Sequence, residues 1–140
     1  MAATLRDCIC GQAVGDALGV PYGFMARGSF ECTGMVGYGS HGQPAGTWSD
    51  DTSMALAICD SYRELGRISC PDIRERFPRW CNSGSYTING LFDCGGTCAR
   101  AIVEGRGLGC VWDDGNGSPM RTMPLVFTCA TVSGYRRSGR

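Results

Sequence analysis

"GTWSDDTSMAL", residues Gly46 to Leu56, sets two adjacent carboxylates between hydroxyl residues at the point where an apolar helical pattern begins. From Asp51 to Leu65 the apolar positions Met54, Ala57, Ile58 and Leu65 fit one helical stripe, so the spacing predicts a helix with Ser49 as N-cap and Gly66 as terminator. Asp50 and Asp51 then have two readings. Acidic residues suit the first turn of a helix, where unpaired N–H groups and the dipole favour negative charge. Ser49, Asp50 and Asp51 are equally a set of hard oxygen donors gathered on one side of a cation. The stretch alone leaves both open.

Working outward, Leu5, Cys8, Ile9, Gln12, Ala13 and Asp16 recur at three- and four-residue steps and predict a helix from about Leu5 to Leu18, closed by Gly19 and Pro21. The segment from Pro21 to Thr47 is glycine-rich and has no sustained period; we expect a long ordered loop in which Phe24, Met25, Phe30, Met35, Val36 and Tyr38 are buried. Beyond Gly66, Pro71 at a first helical position with Ile73, Phe77 and Trp80 predicts a third helix, kinked at Pro78. Thr97 to Glu104 reads as a short helix entered through Gly95 and Gly96. No stretch alternates over a strand's length, so the expected class is all-α, a packed helical domain with its chemistry on the loops.

The chain has 140 residues, the size of one domain, and 43% of them are hydrophobic. Thirteen basic residues balance thirteen acidic ones, and the basic group Arg136, Arg137 and Arg140 is confined to the end, which gives no electrostatic grip on nucleic acid or anionic lipid. The N-terminal stretch is interrupted by Asp7, Gln12 and Asp16, unlike a signal peptide, and no run reaches membrane-spanning length, so a cytoplasmic location is expected. Ten cysteines have no zinc-type spacing: the close pairs are Cys8/Cys10 and Cys94/Cys98, with a single histidine, His41. Small buried hydrophobes in reduced form are the expectation.

A second site-like stretch, "DDGNGSPM", places Gly115 and Gly117 before Ser118-Pro119, a glycine turn feeding a helix start. Such a turn suits phosphate oxygens, with Arg121 completing the charge. On this loop alone the preferred reading is a tight Asn-Gly turn followed by an ordinary capped helix.

Together, "GQAVGDALGVP", "GTWSDDTSMALA", "FDCGGTCARAI" and "GNGSPMRTMPL" resemble, in order and rough spacing, the N-terminal half of the ADP-ribosylglycohydrolase family, which includes the dinitrogenase reductase activating glycohydrolase. The similarity runs from about Leu5 to Phe127. It implies residues 1–140 as one partial domain of that all-α type, with a binuclear magnesium or manganese centre that hydrolyses the bond between ADP-ribose and an acceptor. The substrate would be an ADP-ribosylated protein or a small ADP-ribose conjugate.

By the same resemblance, Ser49, Asp50 and Asp51 match the first metal-ligand cluster, and Asp93, which the residues alone make an N-cap for the helix near Thr97, matches an acid near the reaction centre that positions or deprotonates water. Gly115, Asn116, Gly117, Ser118, Met120 and Arg121 match the substrate-binding phosphate turn. Asp16 matches a position in the first helix to which we assign structural support. Two departures stand out. "GVPYGF" has Gly23 where the family pattern G-x-P-x-E has glutamate. The family's second metal motif, D-T-D-T, lies downstream of the glycine turn and is missing from these residues, and "TCATVSGYRRSGR" departs from the family's continuation. The expectation is a truncated or frameshifted sequence with one of two metal-ligand sets. A non-catalytic ADP-ribose-binding module and an inactive structural fragment are the alternatives.

Overall fold

The computed structural model describes residues 4–113 and 115–128. Five α-helices, α1 (Leu5–Gly19), α2 (Asp50–Leu65), α3 (Cys70–Ser83), α4 (Gly96–Glu104) and α5 (Met123–Thr128), are joined by loops carrying three short 3-10 turns. No strand occurs among the described residues, and the expected all-α class holds. None of their helices is long and apolar enough to cross a membrane. The end stretch expected to mark a truncation, with its three arginines, lies outside the described residues apart from Thr128.

The helix predicted from the opening stretch is the centre of the molecule. Met54, Ala57 and Ile58 on one face of α2 form a core with Phe77 and Trp80 of α3 and Cys98 of α4, while α1 and α5 pack on α2 from other sides. Trp80, Met54, Thr52 and Ser53 are almost fully buried. α3 continues through Pro78 without being ended by it. Gly66 and Gly84 close α2 and α3 with positive φ, and each N–H returns to a carbonyl four residues back.

Ser49 is the N-cap of α2 by position, but its side chain makes no capping bond. The first turn is capped from another helix instead. Asp16 Oδ2, on α1, accepts from the Ser49 and Thr52 N–H groups at 3.0 and 3.1 Å and from Thr52 Oγ1 at 2.7 Å, and Oδ1 accepts from Ser49 Oγ at 2.7 Å. One carboxylate therefore satisfies two of the donors that a helix start leaves free, and ties α1 to α2.

Two expectations are corrected. The apolar residues of the 21–47 loop are not buried: Phe24 is 91% and Tyr38 68% exposed, and Met25, Phe30, Met35 and Val36 are exposed as well. The loop packs on itself, with Tyr22 stacked on Phe30 at 4.6 Å, and is tied back where Ser40 Oγ donates to the Pro21 carbonyl. The cysteines are not uniformly buried either. Of the nine described, all free thiols, Cys98 is buried while Cys10, Cys32, Cys70 and Cys110 are exposed.

Candidate functional site

α1, the turn after it, the Gly39–His41 turn, the start of α2 and the loop before α4 converge on a cleft of about 510 Å³. Its walls include Asp16, Ser49, Asp51, Asp93, His41 and Gly23. Among the described residues, no lysine or arginine lines it. Three carboxylates share it with His41, which among the described residues is the lining side chain able to carry positive charge.

Crowded acids in a partly dry cleft resist ionisation. The Asp51 carboxyl is pushed up to about 6, first by burial, then by the charges of Asp16 and Asp50, against a lowering from Ser49, whose Oγ donates to its Oδ2 at 3.4 Å. Burial raises Asp93 too, with Asp50 adding to the shift and His41 opposing it. His41 Nε2 stands 3.8 Å from Asp93 Oδ2. A carboxyl poised toward neutral pH in a cleft is suited to proton transfer.

Not every expected residue meets in this cleft. Ser49, Asp51 and Asp93 do, but Asp50 is turned the other way: it is 8% exposed and its Oδ2 accepts from the Gly95 N–H at 3.1 Å, anchoring the entry to α4. Asp93 does not cap α4, whose N-cap is Gly95.

The glycine turn packs against the start of α4, where a Cβ at Gly115 would meet Thr97 and one at Gly117 would collide with Cys98 Sγ. Neither glycine has positive φ. Close approach, not turn geometry, is what Gly117 answers to. Pro119–Arg121 is one 3-10 turn in which Ser118 makes no side-chain cap. Met120 reaches the acidic cleft, whereas the Arg121 guanidinium lies 5.1 Å from the Phe77 ring centroid and against Cys98 Sγ, lining a second, mostly apolar cleft of about 250 Å³. Its cation–π contact ties the turn to the core rather than placing charge on the glycine loop.

Two residues of the site were not singled out from sequence. Gln12 Nε2 donates to the carbonyls of Asp51 and Met120 at 2.8 and 2.9 Å, stapling the acidic and glycine segments together, and its buried Oε1 has no partner among the described residues. His41 is the other. The only sequence signal for Gln12 was its place on the same face of α1 as Asp16.

Among the described residues, no three acidic, histidine or cysteine side chains stand close enough to hold one metal ion. The donor chemistry nevertheless fits in kind: Asp51 and Ser49 are hard oxygen donors in a cleft that, among the described residues, has no lysine or arginine.

Residues 2–136 match the family model described as ADP-ribosylglycohydrolase. The chain is 36% identical over 133 residues to the ADP-ribosylarginine hydrolase Tri1 of Serratia proteamaculans, covering 94% of this chain and 36% of that protein. With Tri1 of Pseudomonas putida it shares 33% over 130 residues, 87% of this chain and 35% of the relative. Identity to the ADP-ribosyl-[dinitrogen reductase] glycohydrolase of Rhodospirillum rubrum is 34% over 132 residues, 84% and 42% of the two chains. The chain thus spans well under half the length of these curated relatives.

Proposed function

The chain belongs to the ADP-ribosylglycohydrolase family, and from that premise we propose that its acidic cleft is part of a site that hydrolyses the glycosidic bond between ADP-ribose and a protein arginine. The observation that carries this reading is the convergence of Asp16, Ser49, Asp51 and Asp93 on one cleft with no lysine or arginine among its described lining residues. Cleavage at an anomeric carbon develops positive oxocarbenium character, and a ring of carboxylates stabilises it. The same field attracts the cationic guanidinium that an arginine conjugate presents.

In this reading Asp93 orients the attacking water and takes its proton, a role its raised pKa suits. Asp16 keeps the start of α2 in place through its four hydrogen bonds. Backbone N–H groups of the 115–118 segment bind the diphosphate, and Gln12 fixes that segment against Asp51 through Met120. Binding energy from the diphosphate, remote from the reacting bond, then positions the ribose. Ser49 and Asp51 would hold a magnesium or manganese ion, with Asp50 supporting them from behind. When bound, the ion would supply Lewis-acid polarisation and a template for the ribose hydroxyls.

The test is a chimera in which this chain replaces the matching third of the Serratia hydrolase, assayed for free ADP-ribose released from an ADP-ribosylarginine peptide. Manganese-dependent release is expected, lowered at least about 100-fold by Asp93→Asn. Equal rates for the chimera and its Asp93→Asn variant would contradict the role of this cleft.

A further inference from the structure

Gly23 and His41 belong together. A Cβ placed on Gly23 would lie 2.5 Å from His41 Nε2 and 3.0 Å from Cδ2, so the imidazole already stands where any side chain at position 23 would begin. The ring is no loose surface group: its side chain is 12% exposed and sits between Phe24 and Phe92, each with centroids 5.5 Å away. The turn that carries it is jammed against the 3-10 turn Val20–Tyr22 that follows α1. A Cβ at Gly39 would collide with Pro21, Ser40 Oγ donates to the Pro21 carbonyl at 3.2 Å, and Gly42, with φ of 62°, closes the turn through its N–H to Gly39 O. The packed turn backbone, with Phe92 at the ring edge, thus sets where Nε2 points.

It points at Asp93. We propose that His41 is the positioning residue for Asp93: standing in the volume a side chain at residue 23 would fill, it donates from Nε2 across the cleft and holds that carboxyl toward the reacting site. The other acidic groups that act on Asp93 are Asp16 and Asp51 in the same cleft and Asp50 behind it, all carboxyls, so His41 is the group that favours keeping the Asp93 carboxyl in the cleft. The 3.8 Å separation is an ion-pair distance that a small ring tilt converts into a hydrogen bond, as ligand-free sites commonly require. Loss of a glutamate at position 23 and presence of the histidine are then one arrangement, and Gly23→Glu is expected to displace His41 rather than to repair the site. The proposal rests on the reading of Asp93 as the water-orienting acid.

Because the chain has one histidine, its imidazole gives a single pair of ring nitrogen signals in a 15N-histidine-labelled sample of the full chain. Asp93→Asn is expected to move the Nε2 signal. Gly23→Ala, whose new methyl overlaps the far end of a side chain rather than backbone, is expected to leave the fold intact, swing the ring away, and abolish the response to Asp93→Asn. A merely structural histidine would not show that loss of coupling. An Nε2 signal that ignores Asp93→Asn in the Gly23 chain overturns the proposal, as does the same response with and without Gly23→Ala; the first comparison decides even if Gly23→Ala does not fold. None of this depends on turnover, so failure of the hydrolysis assay and failure of the His41 role are separate results.

Discussion

Asp51 carries the conflict from which the site is built. A carboxyl whose folded pKa lies near 6, above its ordinary value of 3.8, holds its proton more tightly in the folded state. Its contribution is therefore most favourable below about pH 4 and is lost as pH rises through 6. Ionisation at neutral pH costs the metal-free fold about 1–2 kcal/mol once solvent screening of a half-buried group is allowed for. Asp51→Asn should accordingly raise the melting temperature at pH 7.5 in chelator, with the gain vanishing below pH 4. Thermal unfolding across that range checks it; a variant less stable than wild type at pH 7.5 would mean that the carboxylate serves the fold.

At the level of elements, α2 is held at both ends by charge. Its start is capped by Asp16, and its second half meets α3 through Arg76, whose guanidinium donates to Asp60 at 2.6 Å, Glu64 at 2.6 Å and Asp72 at 2.7 Å. The Arg76 side chain is 7% exposed, so deleting it strands three carboxylates around a buried space. Arg76→Met should cost about 3 kcal/mol, the low end for breaking a buried pair because the carboxylates keep contact with water. Arg63, ahead of Tyr86 and Arg76, holds the Asp60 carboxyl below its usual range, and Arg76, ahead of Ser61, does so for Asp72. Folded pKa values depressed in this way give stability that is present above about pH 4 and lost as pH falls through them. The difference between wild type and Arg76→Met, followed by denaturant titration, should shrink toward pH 2–3; a constant difference would locate the effect in packing.

These elements also mark how far sequence carries. Period and punctuation placed α1, α2 and α4, and the start of α3, to within a residue, because Gly66, Pro71 and the Met54–Ile58 stripe are local signals. The pairing of Asp51 with Asp93, 42 positions apart, was reached through family motifs rather than periodicity. Burial in the 21–47 loop was misjudged because apolarity predicts what a loop would gain from packing, not whether a partner lies in reach. His41 carried no local signal, since its meaning depends on the missing side chain at Gly23, which only the fold brings beside it.

Taken whole, the described chain has a small core for its length and leaves Val103, Trp112 and Val126 largely exposed, at 86%, 83% and 74%. Its acidic cleft and its apolar cleft both lie against α2, so the helix that begins with the two adjacent aspartates links them. In the central claim the aspartates are more than first-turn decoration: they serve a cation. Calorimetric titration of the full chain with manganese tests this most directly, comparing wild type with the variant carrying Asp50→Asn and Asp51→Asn. The account predicts binding weaker than a closed multi-carboxylate site gives, and its complete loss in the double variant. Equal manganese binding by the two proteins, or none by wild type, would contradict it and leave the acidic pair to the helix start.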